Sequence, residues 1–361
     1  MTTTWGEINS PLHVCSIEGF PASGLDVFVA GLYELKEEEA SRLGGIGLYA
    51  TGTGACLDLI ERCGGVLDLK TTPRLEVAAV YSTGVLEVVV LDSAANKLIS
   101  MASIEDETKK EGLFLSVDWH PSGVQLAVST QAGSILLFAL QHGVLEALGR
   151  VSTAHMLFGE AIPAWIVAWD ASGTRLLSGG DDCALRLWDA YAPGGPLPLG
   201  SACKTYSAGV TSGAWHPDEA KCGNVLAAGS YDETVRLWDA RAMQRPFAEA
   251  QSGGGVWRTK WVPVPLRPGA GQGGEGNGQG WLLALACMHG GSTVLRVDNL
   301  ASSTASFSSS CSLKSIASHT DATSSNHLAY GIHVVDPGPP TLDVVSCSFY
   351  DNKIFRWTSN Y

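Results

Sequence analysis

Along most of the chain apolar and polar positions alternate in short runs cut by words rich in Gly, Asp, Ser and Asn, as in Gly84-Val-Leu-Glu-Val-Val-Val-Leu91. A period of two is the signature of half-buried strands, so the pattern predicts strands joined by tight turns. Four tryptophans close similar apolar strands, Trp119, Trp169, Trp215 and Trp261, at spacings of 50, 46 and 46 residues. That period is long enough for four strands per repeat. The words around them recur: Val117-Asp-Trp-His-Pro-Ser-Gly123, Val167-Ala-Trp-Asp-Ala-Ser-Gly173 and Gly213-Ala-Trp-His-Pro-Asp218 each end a strand in a turn. Downstream, Asp182 precedes Trp188, Asp232 precedes Trp238 and Asp351 precedes Trp357, always by six residues.

These words look like WD40 repeats, in which a turn Asp, a loop His, a strand Ser or Thr and the Trp share a hydrogen-bonded network. His155, Ser178, Asp182 and Trp188 make one complete set, and His319 is a second candidate loop histidine. Counting the weaker units gives an all-β, seven-bladed WD40 propeller with approximate blades at 12–63, 64–106, 112–153, 155–206, 208–252, 254–318 and 325–361. Each blade needs neighbours to bury both faces, so the ring is expected to be one domain over residues 1–361. The last unit is one strand short, and residues 1–10, around Thr3-Thr4-Trp5, could supply a closing strand. Two stretches break the pattern. Residues 267–280, half glycine, read as a flexible loop, and residues 301–310 as a polar excursion in the same blade.

Composition narrows the function. With 45% hydrophobic and 16% charged residues the chain can bury a large core. No apolar run reaches the ~18–20 residues of a membrane span, and the first residues lack the basic and apolar regions of a secretory signal. A cytosolic or nuclear location follows as the expectation. The net charge of −13 repels a phosphate backbone, so nucleic acid is not an expected ligand. Nine cysteines occur without a Cys-x-x-Cys pair, which leaves no zinc-knuckle or thioredoxin-like spacing and suggests buried free thiols. No metal or cofactor enters this reading, and the chain is expected to be monomeric.

The departures from the repeat are more specific. In blade six His289 stands where the other turns have Asp, and the usual Trp is missing near Val297. Together Ala164-Trp-Ile-Val-Ala, Ser178-Gly-Gly-Asp-Asp, Gly254-Gly-Val-Trp-Arg, Ala286-Cys-Met-His, Ser318-His-Thr, Leu328-Ala-Tyr-Gly and Cys347-Ser-Phe-Tyr-Asp resemble the diphthine methylesterase family. The resemblance runs from about residue 155 to the C-terminus and is looser before it. It implies removal of the methyl ester from methylated diphthine on translation elongation factor 2, leaving a carboxylate for amidation to diphthamide.

Methylated diphthine carries a trimethylammonium group beside its ester, and such cations are held by aromatic faces and nearby carboxylates. Trp165, Tyr231, Trp257 and Tyr350 with Asp182, Asp232 and Asp351 should then converge on one face as an acidic, aromatic mouth. The alternative is that Trp165 and Trp257 pack between blades and the three Asp brace their turns. Ester hydrolysis also needs a base and oxyanion donors, yet neither Gly-x-Ser-x-Gly nor His-Glu-x-x-His occurs. His289 is the candidate base, oriented by Asp232, against a purely turn-capping role. Cys287 is a candidate nucleophile against a buried strand thiol. A rival class is a non-catalytic adaptor: Trp238-Asp239-Ala240-Arg241 matches the WD-x-R word of substrate receptors of cullin-4 ubiquitin ligases, where Arg241 would face the adaptor subunit. An Arg in that position also pairs readily with a neighbouring carboxylate.

Overall fold

A computed structural model describes residues 6–21, 23–36, 41–193, 195–200, 202–264, 280–300, 311–338 and 340–360. Among the described residues seven four-stranded antiparallel sheets succeed one another along the chain, spanning 13–62, 66–105, 114–151, 164–198, 210–251, 258–319 and 329–360. The first strands of successive sheets lie side by side around the axis, and the sheets are the blades of a seven-bladed propeller.

The alternation seen in the sequence explains why the ring is one unit. Both faces of each sheet are apolar, and one cluster of buried side chains fills each seam between neighbouring blades, including the seam between the last blade and the first, where Val14, Phe28 and Leu32 meet Val345, Cys347 and Ile354. Among the described residues every buried cluster is shared by two blades, so each blade stabilises its neighbours by removing their faces from water. The ring is closed by Glu7–Asn9, which pairs antiparallel with Lys353–Asn360 as the fourth strand of blade seven. Thr3, Thr4 and Trp5 lie outside the described residues, as do 267–279 and 301–310 of the two excursions.

The first strands share one irregularity. In blades one, two, three, four, five and seven the register with the second strand slips by one residue, skipping Cys15, Leu67, Leu115, Trp165, Thr211 and Tyr330. A β-bulge of this kind re-aims the extra side chain. In blade six the register is continuous from Arg258 to Val264, and Trp257 stands just before it.

Candidate functional site

The bulges build a cavity. Cys15, Leu67, Leu115, Trp165 and Tyr330, all skipped in register, join Trp257 around the axis at the face where the first strands begin. Above them His13, Tyr33, Phe349 and Tyr350 complete a cavity of about 460 Å³, within the ~300–1,000 Å³ usual for small-ligand sites. At the fifth blade the bulged Thr211 turns aside and donates its hydroxyl to Val256 O at 2.5 Å.

An arc of rings runs along one wall. Trp165 meets Trp257 with centroids 5.6 Å apart, Trp257 stacks on Tyr330 at 4.8 Å, Tyr330 packs on Phe349 at 4.9 Å and Phe349 on Tyr350 at 4.9 Å. Tyr231 buttresses Trp165 and Trp257 at 6.3 and 6.2 Å. Thus Trp165, Tyr231, Trp257 and Tyr350 are brought together. The carboxylates are sorted differently. The acid beside the arc is Asp181, which accepts the Trp165 indole N–H at 2.6 Å.

Asp182 is turned into blade four. Its carboxylate meets His155 Nδ1 at 2.8 Å and Arg186 at 2.6 Å, while His155 Nε2 and the Trp188 indole both reach Ser178 Oγ at 2.8 and 2.9 Å. Burial pushes the Asp182 carboxyl up, but the His155 and Arg186 bonds outweigh it and hold it below the usual range. Asp232 is likewise taken up by Arg236 at 2.8 Å and by the Ser207 and Thr234 amides. Asp351 accepts from Ser324 and Ser348, each at 2.6 Å. In this structure the carboxylates of Asp182, Asp232 and Asp351 are engaged in bracing their turns, the alternative to a substrate contact.

The expected catalytic group is also rearranged. His289 occupies the turn position of Asp182 and Asp232, but Met288 there is left-handed (φ 47°) and bonded both ways to Ala329 of blade seven. The His289 side chain is 62% exposed and faces Glu233 at 3.5 Å, whereas Asp232 is directed to Arg236. The pair His289–Asp232 is not formed, and His289 does not line the cavity. Cys287 is fully buried, and burial pushes its thiol up to about 12, the opposite of an activated nucleophile. Arg241 lies at the far end of its sheet, on the opposite face, with its guanidinium held by Asp239 at 2.8 Å. His319 stacks on Trp357 at 5.5 Å instead of joining a Ser–His–Asp set.

Several residues in and beneath the cavity were not singled out by sequence reasoning. His13 lines the wall and donates from Nδ1 to Asn352 Oδ1, which leaves Nε2 as the basic ring nitrogen. Tyr330 carries the centre of the arc. Below the cavity, Arg258 Nη1 donates to Trp257 O and Nη2 to Leu67 O, each at 3.0 Å. The signal for Arg258 was present: it sets an arginine at a first-strand position that is Ser16, Ser116, Ile166, Ser212 or Gly331 in five of the other blades, while the Lys260 position is also charged in blades one, two and three. Arg258 pairs with Asp68 and Lys260 with Glu18, which Lys70 shares, and together they form a buried ionic plug along the axis. Burial favours neutral forms there and lowers Lys260 to about 8, but for Glu18 the lysines outweigh burial and hold it at about 2.

Comparison with known proteins agrees with this architecture. The family described as "WD domain, G-beta repeat" matches residues 153–189 and 200–239. The chain is 31% identical to the "Diphthine methyltransferase homolog" of Dictyostelium discoideum over 65% of its own length and 61% of that protein. It is 27% identical to "Diphthine methyltransferase" of Schizosaccharomyces pombe over 92% of its length and 90% of that protein. The chain thus spans about three fifths of the Dictyostelium relative and nearly all of the fission-yeast one. Among solved structures, a chain of "Crystal Structure of Mitotic Checkpoint Complex" superposes with a TM-score of 0.64 at 15% identity, covering 100% of this chain and 93% of that one, which is a likeness of fold.

Proposed function

We propose that this propeller, which resembles the proteins named diphthine methyltransferase, acts on methylated diphthine in diphthamide biosynthesis and hydrolyses its methyl ester on elongation factor 2. The observation that carries the reading is the arc of Trp165, Trp257, Tyr330, Phe349 and Tyr350 beside Asp181. Aromatic faces attract a desolvated quaternary ammonium by about 2 kcal/mol or more, and a carboxylate behind the indole N–H reinforces the negative face. With the trimethylammonium group on the arc, the ester on the neighbouring carbon lies within the same cavity.

The balanced reaction is attack of water on the ester carbonyl, release of methanol, and formation of the carboxylate with one proton. Of the cavity side chains, His13 is the one suited to take that proton: Nδ1–H is fixed on Asn352 and Nε2 keeps its lone pair. The names of the relatives speak of methyl transfer, so the assay must register the direction of the change. Purified protein is incubated with elongation factor 2 carrying methylated diphthine and the modified peptide is weighed by mass spectrometry. Loss of one methylene mass that scales with protein and is abolished in His13→Ala is the expected result. Gain of a methylene mass from a methyl donor on the unmethylated form would replace the hydrolase by a transferase, and no change would remove the esterase reading. His289→Ala is expected to retain turnover.

A further inference from the structure

The cavity has a wall that suits a cation and a floor that does not. Leu67 and Trp257 belong to blades two and six, which face each other across the axis, and the Arg258 guanidinium bonds the backbone carbonyl of both. It therefore bridges the axis directly beneath the cavity. The Arg258 side chain is 5% exposed and sits 3.2 Å from Asp68. That carboxylate is already engaged, accepting from the Leu69 amide at 3.0 Å and from Ser116 Oγ at 2.9 Å. Arg258 Nε is buried and meets no partner, although an unpaired buried donor carries a desolvation cost. Its guanidinium also lies 5.3 Å from the Trp257 ring, so one residue pair joins the floor to the arc.

A cation above a guanidinium is repelled unless the ligand also brings an oxygen for the guanidinium to donate to. We propose that Arg258 receives the carbonyl oxygen of the ester, and then the product carboxylate, so that the cavity is a betaine site: quaternary ammonium on the aromatic arc, carboxyl group on the floor. This deepens the esterase reading and rests on it. In the hydrolysis the negative charge that develops on the carbonyl oxygen faces a fixed positive group, the arrangement that lowers such barriers most.

The test uses the full chain and two small probes, glycine betaine and tetramethylammonium, titrated against tryptophan fluorescence. In the wild-type protein betaine is expected to bind ~10-fold or more tighter, the usual scale of a charge-assisted hydrogen bond. Arg258→Gln should weaken betaine and strengthen tetramethylammonium, because the repulsion is removed along with the donor. That inversion cannot come from partial unfolding, which weakens both. Equal or undetectable binding of the two probes by the wild-type protein, or a fall of both together in the variant, overturns the proposal. The two readings fail separately. Betaine preference without ester turnover leaves the site and removes the esterase, while turnover without betaine preference does the reverse.

Discussion

Blades four and six occupy equivalent places in one ring and use their polar residues in opposite ways. In blade four His155, Ser178, Asp182, Arg186 and Trp188 bond one another inside the blade, with side chains of His155 and Asp182 at 0% and 1% exposure. In blade six the turn histidine is outside, and the polar side chains of the first strand, Arg258 and Lys260, are sent to the axis to bond Leu67 O and Ile17 O of other blades. Blade four keeps the repeat, its network residues stay inside the blade, and it lends the cavity wall residues outside that network, the bulged Trp165 with Asp181 behind it. Blade six abandons the repeat and supplies the floor and part of the wall of the cavity. The comparison teaches that a fulfilled motif marks structure, and that a broken one marks where the fold has released side chains for other use.

The sharpest break would come in blade four. Asp182→Ala leaves His155 and Arg186 without their acceptor, and loss of one partner from a buried charged set costs about 3–5 kcal/mol. Urea unfolding should show that loss while binding of tetramethylammonium by the folded protein is retained. A cost below about 1 kcal/mol would mean the blade does not depend on its network.

The next effect is set by pH. His216 packs between Trp261 and Trp281 with centroids at 4.7 and 4.3 Å, and burial lowers it from 6.5 to about 4. His155 is lowered too, by burial that outweighs its bond to Asp182. A histidine depressed in the folded state binds fewer protons there than in the unfolded chain, so its contribution is complete above pH 6.5 and is lost as the pH falls towards 4. The urea midpoint should decline through that window, and His216→Asn should flatten the decline. An identical slope in the variant would assign the acid sensitivity elsewhere.

A smaller change tests blade six. Trp257→Ala is expected to weaken a trimethylammonium peptide ~10-fold, in line with a desolvated cation–π contact, and unchanged affinity would reduce Trp257 to packing. The smallest effect belongs to the opposite face. Arg241 is 42% exposed and pairs with its own neighbour Asp239, so Arg241→Ala should cost under about 1 kcal/mol in the same urea assay. A larger cost would show that the pair anchors its loop.

Much of the fold was legible because its signals are periodic. The Trp119, Trp169, Trp215 and Trp261 series marks four first strands, and the Asp-to-Trp interval marks three turn-and-strand pairs. The aromatic members of the site were legible for the same reason, since Trp165, Tyr231 and Tyr350 stand at repeated positions next to those words. What was hidden depends on single-residue offsets. A bulge moves Cys15 or Tyr330 to the axis by a one-residue slip, and Asp181 rather than Asp182 reaches the Trp165 indole of the cavity wall because adjacent turn residues point opposite ways. His13 and Asn352 are 339 residues apart, and only ring closure brings them together.

That closure has a mechanical side. Glu7 pairs with Phe355 and Asn9 with Lys353, so the outgoing ends of the two strands lie at the same end of the ladder. A pull between residue 7 and residue 360 would load the rungs one after another, as a zipper does, and not all at once in shear. The last rungs to open are those at Asn9 and Ser10, whose amide is held by Asn352 O, and the side chain of that same Asn352 orients His13. The latch of the ring and the proposed proton acceptor of the cavity thus share one residue, and tension that opens the first would be felt at once by the second.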